Sequence, residues 1–136
     1  MIEILVVDHN RADVLLFKQC LNSRYQVVVT VVEDGDQALG LFANECYRPN
    51  LVVIELNIPK LQGHELLRRI RRKNPTIPIV VLSSSRDQED IRSAYAGGAN
   101  MYAEKPSDLD RFRTTIQAIV RLWLAPPAGA RAAAVG

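Results

Sequence analysis

The sequence lacks an apolar run of the roughly 20 residues that a membrane-spanning helix needs. Its start, MIEILVVDHN, has no basic segment and no small-residue cleavage motif, so we expect no signal peptide. The only cysteines are Cys20 and Cys46, without a CxxC pair, which favours buried free thiols in a reducing cytoplasm. A net charge of +2 is too small to indicate binding to nucleic acid or to a membrane surface.

What is present is the composition of one globular domain. The chain has 136 residues, of which 48% are hydrophobic and 24% charged, both ordinary values for a folded protein. We predict a domain over 1–124 and a frayed tail rich in Ala, Pro and Gly over 125–136, because Pro126 and Pro127 end the last helix. This length leaves no room for a DNA-binding output domain.

Short β-branched runs alternate with helical patterns. Continuous Val/Ile/Leu runs predict buried strands at 2–7, 26–32, 51–55, 79–83 and 101–104. Apolar residues at helical spacing predict helices at 12–22, after Asp36, at 62–73, at 88–96 and after Asp108. Asp36 and Asp108 are predicted N-caps, and Gly97 with Gly98 ends the fourth helix. Five strand–helix units predict an α/β fold with a parallel sheet covered on both faces.

Polar residues follow four of these strands. Asp8 and His9 follow the first strand, Glu55 ends the third, Ser83 ends the fourth, and Lys105 follows the fifth. Ligands of open α/β sheets bind beyond the carboxyl ends of the strands. Two carboxylates, a hydroxyl and a lysine at one edge therefore predict a site for a small anion, a metal ion, or both.

Five stretches carry a family resemblance: ILVVDHN, VEDGDQAL, PNLVVIELNIPKLQGHELL, IPIVVLSSS and YAEKP. They resemble the receiver domain of two-component response regulators, a signalling module rather than an enzyme, which takes a phosphoryl group from a sensor histidine kinase. The resemblance implies a flavodoxin-like (βα)5 three-layer sandwich with sheet order 2-1-3-4-5. Ala12-Asp13 and the LWL at 122–124 are similar to single-domain regulators that partner bacterial phytochromes. That likeness implies a phytochrome-type kinase as partner and a homodimer.

The resemblance also implies a role for each polar residue. It implies that Glu55 occupies the phosphoacceptor position and that Asp8 and His9 form the acidic pocket. A Mg²⁺ ion is implied at Asp8 and the Asn57 carbonyl. The phosphoryl-contact and switch positions are Ser83, Lys105 and Tyr102, and Pro106 is the candidate cis-proline.

Two of the three carboxylate positions depart from the family pattern. His9 offers a nitrogen, whereas Mg²⁺ prefers hard oxygen ligands. The extra methylene of Glu55 moves its carboxylate by about 1 Å, a misplacement that matters for phosphoryl transfer. Asp8, Glu55 and Lys105 together carry a charge of −1 instead of the family's −2, and Lys105 is expected to pair directly with Glu55. We therefore expect Mg²⁺ binding to be weak or absent.

Three interpretations of this pocket stay open. In the first, Glu55 takes the place of a phosphoaspartate oxygen and holds Ser83 and Tyr102 in an active-like state. In the second, the pocket is inert and the domain binds partners without phosphorylation. In the third, phosphotransfer survives, on Glu55 or elsewhere. An engineered mimic is disfavoured because His9 is a second change. A small phosphatase on the same fold would need an aspartyl nucleophile and a second Asp, and a nucleotide site would need a Gly-rich loop that DHNRAD lacks.

Three further features bear on surfaces. The basic run at 68–73 is interpreted as a solvated helix end, where the helix dipole favours cations. His64 is expected to be exposed. Leu122, Trp123 and Leu124 are consecutive and cannot all face one core, which favours a partner surface.

Overall fold

The computed structural model describes residues 2–21 and 26–124. The predicted tail at 125–136 and the predicted end of the first helix at Asn22 lie outside these ranges. The elements in chain order are β1 Ile2–Val7, α1 Arg11–Cys20, β2 Val27–Val32, α2 Gly35–Phe42, β3 Leu51–Ile54, α3 Gly63–Lys73, β4 Ile79–Ser83, α4 Gln88–Gly97, β5 Met101–Glu104 and α5 Leu109–Leu124. No helix within the described ranges is both long and apolar enough to cross a membrane.

The strands form one parallel sheet of order β2-β1-β3-β4-β5, which confirms the predicted fold. Alternate side chains of a strand point to opposite faces. Leu5 and Val7 of β1 therefore join the cluster formed with α2, α3 and α4. Ile4 and Val6 join the cluster under α1 and α5. Both faces of the central strands are buried, as the continuous apolar runs indicate.

The helix ends match the prediction at two places and differ at one. Gly98 ends α4 with a φ of 112°, and the Asp108 carbonyl accepts the first helical bond of α5 from the Phe112 N–H at 2.9 Å. The predicted cap of α2 at Asp36 is wrong, because the Asp34 side chain accepts the Gln37 N–H at 2.8 Å. α2 therefore begins at Gly35, where a Cβ would lie 2.5 Å from Leu61 Cβ.

Candidate functional site

Backbone hydrogen bonds fix the polar residues at the carboxyl edge of the sheet. The Asp8 N–H donates to the Val32 carbonyl at 3.0 Å, and the Glu55 N–H donates to the Val7 carbonyl at 2.9 Å. The Lys105 N–H donates to the Ser83 carbonyl at 2.7 Å. These bonds continue the sheet beyond its strands and bring Asp8, Glu55 and Lys105 to one place, as the strand-end argument predicts.

Gly63 allows the first turn of α3 to pack closely against the backbone that carries Glu55. The Gly63 N–H donates to the Leu56 carbonyl at 3.0 Å. A Cβ at this position would lie 2.6 Å from Leu56 Cα and 2.9 Å from the Glu55 carbonyl oxygen. Because any larger residue would push against this backbone, Gly63 lets the first turn of α3 fix the position of Glu55.

The ammonium group of Lys105 lies among three carboxylates. Its Nζ is 2.7 Å from Asp8 Oδ2, 2.8 Å from Asp13 Oδ2 and 3.0 Å from Glu55 Oε1. The Lys105, Asp8 and Glu55 side chains are each no more than 7% exposed. The ammonium donates hydrogen bonds to Asp8 and Asp13, and its charge also pairs with Glu55. The expected pairing of Lys105 with Glu55 is present within this arrangement.

Asp13 was missed by the sequence argument, and it corrects the predicted charge of the pocket. Its carboxylate lies 2.8 Å from Lys105 Nζ, so three carboxylates and one ammonium give a charge of −2 rather than −1. The site was predicted only from residues directly after each strand, whereas Asp13 lies in the first turn of α1. Its position in that turn could have identified it, because α1 begins only a few residues after the end of β1.

The second carboxylate oxygens of Asp8 and Glu55 accept hydrogen bonds from the backbone. Asp8 Oδ1 accepts the Asn10 N–H at 2.9 Å, and Glu55 Oε2 accepts the Asn57 N–H at 3.2 Å. Burial raises the pKa of Asp8 above its usual value, and the bond from Lys105 opposes this shift. For Lys105, burial acts to lower the pKa, but the bonds to Asp13 and Asp8 outweigh it and the pKa is raised. The lysine is therefore charged at neutral pH.

The side chains around this edge do not fit a Mg²⁺ ion, which takes oxygen ligands in a near-ideal octahedron. Of the expected ligands, Asp8 bonds to Lys105 and Asn10, and Asn57 is exposed. His9 is exposed and carries no carboxylate. Across residues 2–21 and 26–124, no group of three His, Cys, Asp or Glu side chains is placed to hold a metal ion, and the three carboxylates that come together at this edge surround Lys105 instead.

Ser83 and Tyr102 meet the loop that follows β4. Ser83 is fully buried, and its Oγ accepts the Ser85 N–H at 3.3 Å. Tyr102 packs against the core, and its hydroxyl donates to the Ser85 carbonyl at 2.8 Å. Burial raises the pKa of Tyr102, opposed by its bonds with Ser85 and Ser83. Among the hydrogen bonds of the described residues, none joins Ser83 to Glu55.

Two expectations at this edge are wrong. The Lys105–Pro106 peptide bond is trans, the isomer that X–Pro bonds favour by about 0.5–1 kcal/mol. His64 is not exposed: its side chain is 19% accessible, and its Nε2 lies 3.2 Å from Asp90 Oδ1 on α4. Since α4 packs beside α3, the first turn of α3 is covered where the sequence argument placed it in solvent.

Comparisons with known proteins agree with this architecture. The family model described as "Response regulator receiver domain" matches residues 4–117. The response regulator Rcp1 of Synechocystis is 32% identical over 130 residues, covering 89% of this chain and 88% of the relative.

Two solved structures extend this likeness. The phosphorylated cyanobacterial phytochrome response regulator RcpA has a TM-score of 0.85 at 33% identity, covering 90% of this chain and 94% of RcpA. The Mn²⁺-bound form of Rcp1 has a TM-score of 0.87 at 29% identity, covering 93% and 97%.

Proposed function

Because this chain belongs to the response regulator receiver domain family, we propose that it is a two-component receiver that takes weak or no Mg²⁺-dependent phosphorylation. It transmits information through protein–protein contacts in the cytoplasm. Members of this family are in general signalling proteins rather than enzymes, and they bind Mg²⁺ or Mn²⁺ at their acidic site. The cysteines Cys20 and Cys46 are free, which agrees with a reducing compartment; their expected burial is wrong, because Cys20 is half-buried and Cys46 is exposed.

The observation that carries this proposal is that both oxygens of Glu55 have partners. Oε1 lies 3.0 Å from the ammonium of Lys105, and Oε2 accepts the Asn57 N–H at 3.2 Å. The side chain is 6% exposed. A carboxylate that attacks a phosphorus atom must present an oxygen in line with the leaving group, and phosphoryl transfer depends mainly on such positioning and on a metal ion. Glu55 offers neither condition.

The metal side of the site supports the same proposal. At the second acidic position stands His9, an exposed nitrogen ligand, and Asp8 already bonds to Lys105 and Asn10. A divalent cation would have to displace the buried Lys105 ammonium from Asp8 Oδ2 before it gained that carboxylate oxygen as a ligand. We therefore infer that Mg²⁺ binds weakly or not at all.

Two features divide the remaining interpretations of the pocket. Tyr102 points inward to the Ser85 carbonyl, which favours an active-like state with Glu55 in place of a phosphoaspartate oxygen. Ser83 bonds to Ser85 instead of turning to Glu55, which favours an inert pocket. The proposal holds under both, because neither state needs a phosphoryl group on Glu55.

Receiver domains interact with sensor histidine kinases such as phytochromes, and the likeness to RcpA and Rcp1 supports a phytochrome-type kinase as partner.

A homodimer is supported by the end of α5. Leu124 is buried, Trp123 is half-buried with its Nε1 at 3.4 Å from Met101 Sδ, and Leu122 is 62% exposed. The expectation that these three residues do not share one core is thus confirmed, and Leu122 is left for a partner copy.

The phosphorylation proposal is tested by incubating the protein with acetyl phosphate and Mg²⁺ and measuring the intact mass. We expect no phosphoryl adduct on the parent protein. A stoichiometric adduct that disappears in Glu55→Gln would show that phosphotransfer survives on Glu55, and an adduct that persists in Glu55→Gln would place it elsewhere. Either result would overturn the proposal.

A further inference from the structure

We infer that the Lys105 ammonium serves as the resident cation of this pocket in place of a divalent metal ion, and that Asp13 is the positioning residue that holds it there. The inference deepens the proposed function and rests on it. Asp13 has no place in the roles that the family resemblance implies for this site, and it comes from a helix rather than from a strand end.

The geometry around Nζ is that of a bound cation. Three carboxylate oxygens, one each from Asp8, Asp13 and Glu55, lie between 2.7 and 3.0 Å from it. Its N–H groups donate to Asp8 Oδ2 and Asp13 Oδ2, Glu55 Oε1 pairs with the same charge at 3.0 Å, and the lysine side chain is 7% exposed. The carboxylates therefore converge on a cation that is covalently part of the chain and cannot dissociate.

The chain before α1 holds Asp13 in this position. Asp8 Oδ1 accepts the Asn10 N–H at 2.9 Å, and the Asn10 side chain caps α1 by accepting the Asp13 N–H at 3.1 Å. This series of bonds turns the first turn of α1 toward Lys105. His9, between Asp8 and Asn10, faces solvent. Asp13 thus restores the third carboxylate that His9 lacks, and directs it to the ammonium.

The first test removes the lysine and measures Mn²⁺ binding from the electron paramagnetic resonance of the free ion. We expect weak binding to the parent and at least about tenfold tighter binding to Lys105→Met, because its three carboxylates lose their only bound cation. Adding Asp13→Asn to that variant should remove most of the gain. Lys73→Met and Asp36→Asn, at exposed positions, control for the change in net charge.

Two results would overturn the inference: a parent that binds Mn²⁺ as tightly as Lys105→Met, or a folded Lys105→Met variant without any gain. Neither requires phosphorylation, so the inference can fail while the proposed function stands. Conversely, an adduct on Glu55 would overturn the proposed function without changing these affinities.

A second measurement keeps the lysine and covers the case in which Lys105→Met does not fold. Ammonium protons with three carboxylate partners exchange slowly with water, so a ¹H–¹⁵N spectrum of the lysine side chains should show the Lys105 Nζ resonance at neutral pH. We expect this resonance to disappear in Asp13→Asn and to persist in Asp36→Asn. Its absence from the parent, or its persistence in Asp13→Asn, would contradict the positioning role.

Discussion

Glu55 and Asp13 reach Lys105 from different elements, one from the edge of the sheet and one from a helix. Glu55 is one methylene longer than aspartate and reaches the ammonium at 3.0 Å, while Asp13 reaches it at 2.8 Å from the first turn of α1. Both are placed by backbone bonds, through Val7 for Glu55 and through Asn10 for Asp13. The two carboxylates that pair with Lys105 beside Asp8 are therefore positioned by separate hydrogen bonds.

A different residue, Asp90, gives the protein a predictable response to acid. Bonds from the Ser85 hydroxyl at 2.6 Å and from His64 at 3.2 Å hold the pKa of Asp90 below its usual range. A carboxyl whose pKa is lower in the folded state stabilises the protein above its unfolded pKa, near 4, and loses that contribution as the pH falls through the folded value.

We therefore expect Asp90→Asn to be less stable than the parent near pH 7 and the difference to shrink toward about pH 3. Urea unfolding at several pH values measures this difference. Asp36→Asn, which removes an exposed carboxylate in the first turn of α2, should leave stability almost unchanged throughout. A gap between parent and Asp90→Asn that stays constant down to about pH 3 would contradict the assignment.

The strand-end residues were predictable from sequence, but Asp13 and the His64–Asp90 pair were not. The carboxyl ends of parallel strands must lie at one edge, so Asp8, Glu55 and Lys105 follow from the strand pattern alone. The direction of a helix decides whether its side chains reach such a site. For Asp13 that direction depends on the Asn10 cap of α1. The His64–Asp90 pair depends on the packing of α3 against α4, which the local sequence does not show.

At the scale of elements, Arg71 joins the end of α3 to the start of β4 and to the turn before β5. Its Nε and Nη2 donate to the Gly98 carbonyl at 3.0 and 2.8 Å. Its Nη1 donates to the carbonyls of Asn74 and Ile77 at 3.0 and 2.7 Å, and Nη2 also reaches Asn100 Oδ1 at 2.8 Å. The basic side chains between 68 and 73 were all expected to face solvent, and for Arg71 that expectation is wrong.

We expect Arg71→Met to destabilise the fold by about 2–3 kcal/mol, because partly buried carbonyls of three segments lose a charged donor. Arg72→Met is the matched control: this neighbour is exposed and should change stability by no more than about 0.5 kcal/mol. Urea unfolding followed by circular dichroism gives both values. Equal stabilities for the two variants would mean that Arg71 does not join these elements.

Helix boundaries show how far local patterns predict an element. The end of α4 was predictable because Gly98 takes a left-handed φ of 112°, which glycine adopts without strain. The start of α2 was not, because Asp34 and Asp36 are both of a residue type that favours an N-cap. The prediction placed the cap at Asp36, whereas the Asp34 side chain accepts the Gln37 N–H.

At the scale of the whole molecule, the exposed Leu122 at the end of α5 leads us to expect a dimer. Size-exclusion chromatography with light scattering at high micromolar concentration should give the mass of two chains for the parent and of one chain for Leu122→Asp. Leu109→Asp, at the opposite end of the same helix and 58% exposed, should remain dimeric. A monomeric parent would exclude the homodimer.

The order of the sheet was predictable from the resemblance, and the alternation of strands and helices already indicated its parallel pairing. The sheet in turn determines where the site forms. The proposed phosphorylation behaviour depends on His9 and Glu55, which depart from the family pattern, and on the contact of Asp13 with Lys105. Fold and chemistry are thus set by different residues of the same chain.

We propose that His9 and Glu55 are the reason why this receiver takes weak or no Mg²⁺-dependent phosphorylation. The decisive measurement is the intact mass of the parent and of the His9→Asp/Glu55→Asp double variant after the same treatment with acetyl phosphate and Mg²⁺. We expect a phosphoryl adduct on the double variant and none on the parent. An adduct on the parent to the same extent would show that these two residues do not prevent phosphorylation.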